Sequence, residues 1–216
     1  VGSAMPGSGT GLDFGYQLTA GTYTVKGTDL GTGCTSTMTG SANVVVNPLP
    51  TAYAMTGGGA YCIGSSSTSP IGLSGSTPGV RYDLILGGSV ITSLNGTGSA
   101  LNFGIQSAPG TYTVFATNLT TGCSRGMVGS QTIAINPLPG TQTVTGGGSF
   151  CAGGTGVIVG LTGSEINVNY ELWMSGTYTG TYINGAGGPI FFPAQTLPGI
   201  YTVRAVHAIT NCDVFM

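Results

Sequence analysis

Gly110-Thr111-Tyr112-Thr113-Val114-Phe115-Ala116 is the stretch from which the rest of the chain can be read. Tyr112, Val114 and Ala116 alternate with polar or outward positions, the period of a strand with one buried face. The motif stands earlier as Gly21-Thr22-Tyr23-Thr24-Val25 and later as Gly199-Ile200-Tyr201-Thr202-Val203, each time 89 residues away. Other landmarks keep the same spacing of 89: Cys34, Cys123 and Cys212; Cys62 and Cys151; Asn47-Pro48-Leu49-Pro50 and Asn136-Pro137-Leu138-Pro139. A fixed period of this kind marks a repeat architecture. It divides the chain into a partial unit at 1–50, a complete unit at 51–139 and a third at 140–216 that lacks its last strand. The expectation is a segment of a longer array.

Within the complete unit, strands are expected at 80–86, 101–105, 111–117 and 131–135, with shorter ones near 53–55, 71–73 and 90–94. No stretch long enough for a helix keeps a helical period without Gly or Pro. Short alternating strands with frequent turn signals predict an all-β chain of tandem immunoglobulin-like antiparallel β-sandwich domains in a linear array. Tyr23, Tyr112 and Tyr201 are then either plain core residues or corner tyrosines that return a hydroxyl to the backbone. Gly57-Gly58-Gly59 and Gly146-Gly147-Gly148 read as turns or bulges at the sandwich edge, since no Lys-Ser/Thr and helix follow as a phosphate loop requires.

Charge is scarce. Four Lys and Arg against six Asp and Glu, 5% of 216 residues, cannot neutralise a run of phosphates or grip an anionic bilayer. Nucleic acid and direct membrane insertion are therefore not expected partners, and no apolar run reaches the length of a membrane helix. The 40% of hydrophobic residues is nevertheless enough to build cores.

Five cysteines fit the repeat. Cys62–Cys123 and Cys151–Cys212 have equal separations of 61 and are the expected disulfides, with Cys34 bonded to a partner outside the chain. Metal binding is the rival reading, but the one histidine, His207, has no CxxC or HxxxH company, and no metal or other cofactor is expected. Disulfides imply an oxidising, extracellular or cell-surface location. The Asn-Pro-Leu-Pro junctions are short, semi-rigid extended spacers.

Tyr61-Cys62, Leu73-Ser74-Gly75-Ser76 and Val80-Arg81-Tyr82-Asp83-Leu84 are echoed by Cys151-Ala152-Gly153-Gly154, Leu161-Thr162-Gly163-Ser164-Glu165 and Val168-Asn169-Tyr170-Glu171-Leu172. Together with Gly-x-Tyr-Thr-Val-x-Ala, a following Cys and Asn-Pro-Leu-Pro, this wording resembles the immunoglobulin-like repeats of very large cell-surface proteins of Bacteroidetes. The resemblance implies an exported array, commonly routed by type IX secretion, that serves adhesion, gliding or the envelope, with no catalytic residues.

The expected function is a non-catalytic extracellular structural or adhesive array, disulfide-stapled, forming a stalk or filament. Its partners would be neighbouring repeats, with lateral self-assembly into filaments, and a surface ligand. The alternative is a glycan-binding module, because the third unit carries Trp173, Tyr178 and Tyr182 where the matching stretch Ile85 to Leu94 has no aromatic. Core packing is the simpler account of Trp173, beside Leu172 and Met174. An enzyme is not expected: Asp83 and Glu171 are repeat equivalents, Glu165 and Glu171 fall on separate strands, and nothing converges on His207.

Overall fold

The computed structural model describes residues 2–65 and 70–216, and these form twenty β-strands with no helix. The first unit of the sequence repeat holds β1 (Gly21–Tyr23), β2 (Lys26–Thr28), β3 (Thr35–Thr37) and β4 (Ala42–Val44). The second holds β5 (Met55–Gly57), β6 (Gly59–Cys62), β7 (Pro70–Leu73), β8 (Val80–Leu86), β9 (Ser89–Asn95), β10 (Leu101–Ile105), β11 (Gly110–Asn118), β12 (Ser124–Gly126) and β13 (Gln131–Asn136). The third holds β14 (Val144–Gly146), β15 (Val159–Leu161), β16 (Val168–Met174), β17 (Thr177–Asn184), β18 (Ile190–Phe191), β19 (Tyr201–His207) and β20 (Asp213–Phe215).

In the second unit two sheets face each other across one core. One has the order β10-β7-β5; the other runs β6-β13-β11-β8-β9, with β12 taking the edge of β11 beyond β13. The third unit repeats this as β14-β15-β18 and β17-β16-β19-β20. Every pairing within these sheets is antiparallel except β6 with β13, which is parallel from Gly59↔Ile133 to Cys62↔Asn136. This is the layout of an immunoglobulin-type β-sandwich.

The alternation seen in the sequence is what fills the core. Val80, Tyr82 and Leu84 on β8 meet Tyr112, Val114 and Ala116 on β11, and all six are buried with Ile71, Leu73 and Ile133. Val168, Tyr170 and Leu172 on β16 meet Val203 and Ala205 on β19 in a second buried cluster. The tyrosines are corner residues: the Tyr112 hydroxyl donates to Ala108 O at 2.8 Å, Tyr201 to Leu197 O at 2.9 Å and Tyr23 to Thr19 O at 2.8 Å. Tyr82 and Tyr170 use theirs as acceptors, from the Thr77 and Glu165 amides. The buried rings of Tyr82, Tyr112 and Tyr170 thus have satisfied polar tips.

Phe14 is 45% exposed where its repeat equivalent Phe103 is 8%, and Met38 is 46% exposed where Met127 is 9%. Among the described residues β1 pairs with β4 alone and β2 with β3 alone.

Two strands of the second unit, β6 and β12, lie outside the set expected from alternation. β6 follows the glycine tract directly, and the tract is where the chain leaves one sheet and joins the other. Gly57 ends β5 with φ of +88°, and a Cβ there would lie 1.7 Å from the Pro70 carbonyl oxygen. Gly146 repeats this with φ of +87° and a Cβ position 2.0 Å from Ile158 O. Only glycine allows the two strands to approach while the backbone turns left-handed.

The expected disulfides are corrected. Cys62 is bonded to Cys212, 150 residues on, and Cys34, Cys123 and Cys151 are free thiols. The register supplies the reason. Cys62 lies opposite Asn136 at the far end of β13, whereas Cys123 lies beyond the end of β11, which runs the other way from Gly110↔Ile133. The two are separated by roughly 35 Å of strand length, far outside the Cα spacing a disulfide permits. The period is compatible with either separation, since the observed one is longer by a single repeat.

Gly57→Ala is expected to lower stability by about 2 kcal/mol or more, because it adds left-handed strain to a backbone clash. Gly126→Ala, where a Cβ meets nothing within 4 Å, should stay within about 0.5 kcal/mol of the wild type. Chemical denaturation followed by circular dichroism measures both.

Candidate functional site

Two places concentrate side-chain chemistry. The first is the junction between the second and third units. β6 and β13 run parallel, so Cys62 and Asn136 reach the same end of the sheet, and the Ile63 amide extends the pairing to Asn136 O at 2.9 Å. Pro137-Leu138-Pro139 follows, and the Gly140 amide donates to Glu165 Oε1 at 2.9 Å. Cys212 lies in the β19–β20 connection of the third unit, fully buried, and closes the junction through its bond to Cys62. On the entropic model, a closed loop of this length restricts the unfolded chain by about 5 kcal/mol. In the folded chain it ties a strand end of one unit to a turn of the next.

The junction before the second unit brings the matching cysteine connection against its own Asn-Pro-Leu-Pro spacer. Cys123, in the β11–β12 connection, sits with Sγ 3.8 Å from Asn47 O, and Arg125 Nη1 approaches Pro50 O at 3.5 Å. Asn47 is the repeat equivalent of Asn136, so Cys123 occupies the position that Cys212 has at the next junction.

The connections carrying these cysteines share one more device. Asp29 Oδ1 accepts from the Gly31 and Thr32 amides, Asn118 Oδ1 from Thr120 and Thr121, and His207 Nδ1 from Ile209 and Thr210. The three acceptors stand 89 residues apart. Hydrogen bonds from the Thr32 and Gly31 amides hold the Asp29 carboxyl below its ordinary value. The ring nitrogen of His207 therefore shapes a turn.

The second place is the outer face of the β16–β20 sheet. Trp173 is on this face rather than in the core, because the strand alternates and Leu172 takes the inward position. Tyr178 is its cross-strand neighbour on β17, with ring centroids 5.9 Å apart, and Phe215 on β20 meets it edge-on at 5.4 Å. Arg204 of β19 lies 5.9 Å from the Trp173 centroid and the same distance from Phe215. Its guanidinium donates to Asp213 at 2.9 Å and Glu171 at 3.4 Å, and the Trp173 indole donates to Glu171 at 3.1 Å. The bond to Asp213 is the main reason the Arg204 guanidinium is held more firmly protonated than usual. Tyr182, opposite Glu171, is 57% exposed. Burial, with Glu171 and Tyr182 nearby, raises the Tyr178 hydroxyl above its ordinary value.

The corresponding face of the second unit is built differently. Arg81 pairs with Asp83 at 2.9 Å, and Ser93 from β9 donates to the same carboxylate at 2.6 Å. Burial works to raise the Asp83 carboxyl, but these hydrogen bonds overcome it and hold it below its ordinary value. Ile85 and Phe115 stand where Trp173 and Arg204 stand in the third unit.

No protein-family model matches the chain, and no curated protein matches it. Among solved structures it is similar to the human OSCAR ligand-binding domain at 13% identity, covering 78% of this chain and 95% of that one, with a TM-score of 0.35. It is similar to the fibronectin(III)-like modules of Clostridium thermocellum CbhA at 13% identity, with 74% and 88% covered and a TM-score of 0.36. The central fibronectin-III array of RIM-binding protein is 10% identical, with 85% and 67% covered and a TM-score of 0.26. The sandwich is defined by the strand order and register of the chain itself.

His207→Asn is expected to stay within about 0.5 kcal/mol of the wild type, since Asn118 does the same task one unit earlier. His207→Ala, which leaves two turn amides without their acceptor, should cost about 1 kcal/mol. Thermal unfolding of the two variants side by side reads the difference.

Proposed function

We propose that the chain is a non-catalytic structural or adhesive repeat array of the cell exterior, with units at 1–50, 51–139 and 140–216, serving as part of a stalk or filament. The observation that carries this reading is the Cys62–Cys212 bond, which joins two successive repeats rather than closing one of them. A disulfide in that position stiffens a string of modules, and it suits an oxidising compartment. The resemblance to Bacteroidetes surface repeats extends the reading to export by type IX secretion. Scarce charge supports it further, because a neutral surface of small polar residues permits close lateral packing with little dependence on salt. Electron microscopy of native material sheared from cells, with and without reductant, is the test. Extended strings or fibres that loosen or kink on reduction are expected; compact particles unchanged by reductant would overturn the reading.

A glycan-binding role is the second reading, favoured by the outward placement of Trp173, Tyr178 and Tyr182. Exposed aromatic faces beside a fixed carboxylate–guanidinium cluster suit the apolar faces and hydroxyls of a sugar. On this reading, Trp173→Ala lowers binding on a glycan array at least tenfold, and unchanged binding ends it.

A further inference from the structure

We propose that the outer face of β16 and β17 binds a neutral pyranose and refuses acidic sugars, with Glu171, Tyr178 and Tyr182 bonding the ligand's hydroxyls and Arg204 acting as a positioning residue. The inference rests on the glycan reading and adds to it the class of sugar. Tyr178 and Tyr182 stand out among the tyrosines of the chain. Those of the core and the corners all engage their hydroxyls within the protein, whereas Tyr16, Tyr178 and Tyr182 have no such partner among the described residues. Tyr178 and Tyr182 are 39% and 57% exposed and share one strand.

A wide bulge draws the two together. Glu171 pairs with Tyr182 and Trp173 with Tyr178, so Thr179, Gly180 and Thr181 stand opposite Leu172 alone. Thr179 Oγ1 donates to Leu172 O at 2.8 Å, and Gly180 takes φ of +83°. Tyr178 and Tyr182 are four apart in the chain, but the partners that hold them are two apart, roughly 7 Å of strand. The two phenols, the Trp173 indole and the Glu171 carboxylate therefore border one small patch. In the second unit Val90 pairs with Ile85 and Ser93 with Asp83, and the matching patch has no aromatic or hydroxyl pair of this kind.

The charge of the patch is arranged against an anion. Arg204 is the one Lys or Arg of the third unit, and two carboxylates engage it, Asp213 at Nε and Glu171 at Nη1. Its guanidinium carbon also lies 5.9 Å from the Trp173 and Phe215 rings. A guanidinium so committed cannot offer a sugar carboxylate the two-pronged grip that arginine gives elsewhere, and one cation against two carboxylates leaves the patch negative. Glu171 Oε2 accepts from both Arg204 and the Trp173 indole, while Oε1 has no partner among the described residues. An uncharged polyol fits what is left: its hydroxyls donate to Glu171 Oε1 and bond the two phenols, and its C–H face lies against the rings.

The test sets the full 216-residue chain on an array of neutral gluco-, manno- and galacto-oligosaccharides beside oligogalacturonates and sialylated oligosaccharides, followed by calorimetric titration of the tightest binder of each kind. Neutral sugars are expected to bind at least tenfold more tightly than acidic ones. Tyr182→Phe, which removes one exposed hydroxyl and keeps the ring, should weaken neutral binding about threefold to tenfold. Glu171→Gln should narrow the preference for neutral sugars at least tenfold, because it removes one carboxylate and releases Nη1 of Arg204. Retention of the Cys62–Cys212 bond, read by mass, and an unchanged circular dichroism spectrum show that the variants fold. Acidic sugars bound as tightly as neutral ones, or neutral binding unchanged in Tyr182→Phe, would overturn the proposal and leave the glycan reading standing. Binding to no sugar of either kind would overturn both.

Discussion

The parallel pairing of β6 with β13 is the constraint on which the molecule turns. A strand that stayed in the β5 sheet would leave the β13 edge unpaired and would place Cys62 at the wrong end of the sandwich. Gly57 permits the transfer, by taking a left-handed backbone where the Pro70 carbonyl leaves no room for a side chain. Once β6 is parallel to β13, its terminal cysteine must emerge beside Asn136, where the chain leaves for the next repeat. The disulfide between successive units is therefore a consequence of a local backbone transfer.

The strands that carry the core were legible in the sequence, and so was the sandwich. Period-two alternation located β8 and β10 at their observed ends, because burying one face leaves a mark at every second residue. β6 left no such mark. It has four residues, begins with glycine and has no buried side chain, Ala60 being exposed and Tyr61 and Cys62 half-buried, so its stability comes from backbone pairing, which any sequence can make. The disulfide was misread for a related reason: a repeat determines cysteine separations only up to whole periods, and the direction in which β11 runs decides between them. Trp173 was misplaced by its neighbours, since the residue after an inward leucine on a strand faces outward. Arg204, Glu171 and Asp213 come together from three strands, and nothing in their spacing reveals it.

The units share a backbone and differ on the outside. Buried positions hold the same kinds of residue in the second and third units, down to the tyrosines whose hydroxyls serve Thr77 and Glu165. The outer faces diverge, with an ion pair and Ser93 on one and an aromatic cluster around Arg204 on the other. Packing constrains the first set and leaves the second free, so any recognition by this chain belongs to individual faces.

The long disulfide also determines where tension would run. A pull along the chain that enters before Cys62 and leaves after Cys212 crosses from one to the other through the sulfur–sulfur bond. The polypeptide between them, including β13, the proline spacer and most of both cores, carries none of that load. Fully stretched, that segment would span on the order of 500 Å, a length the bridge withholds from any unfolding by force.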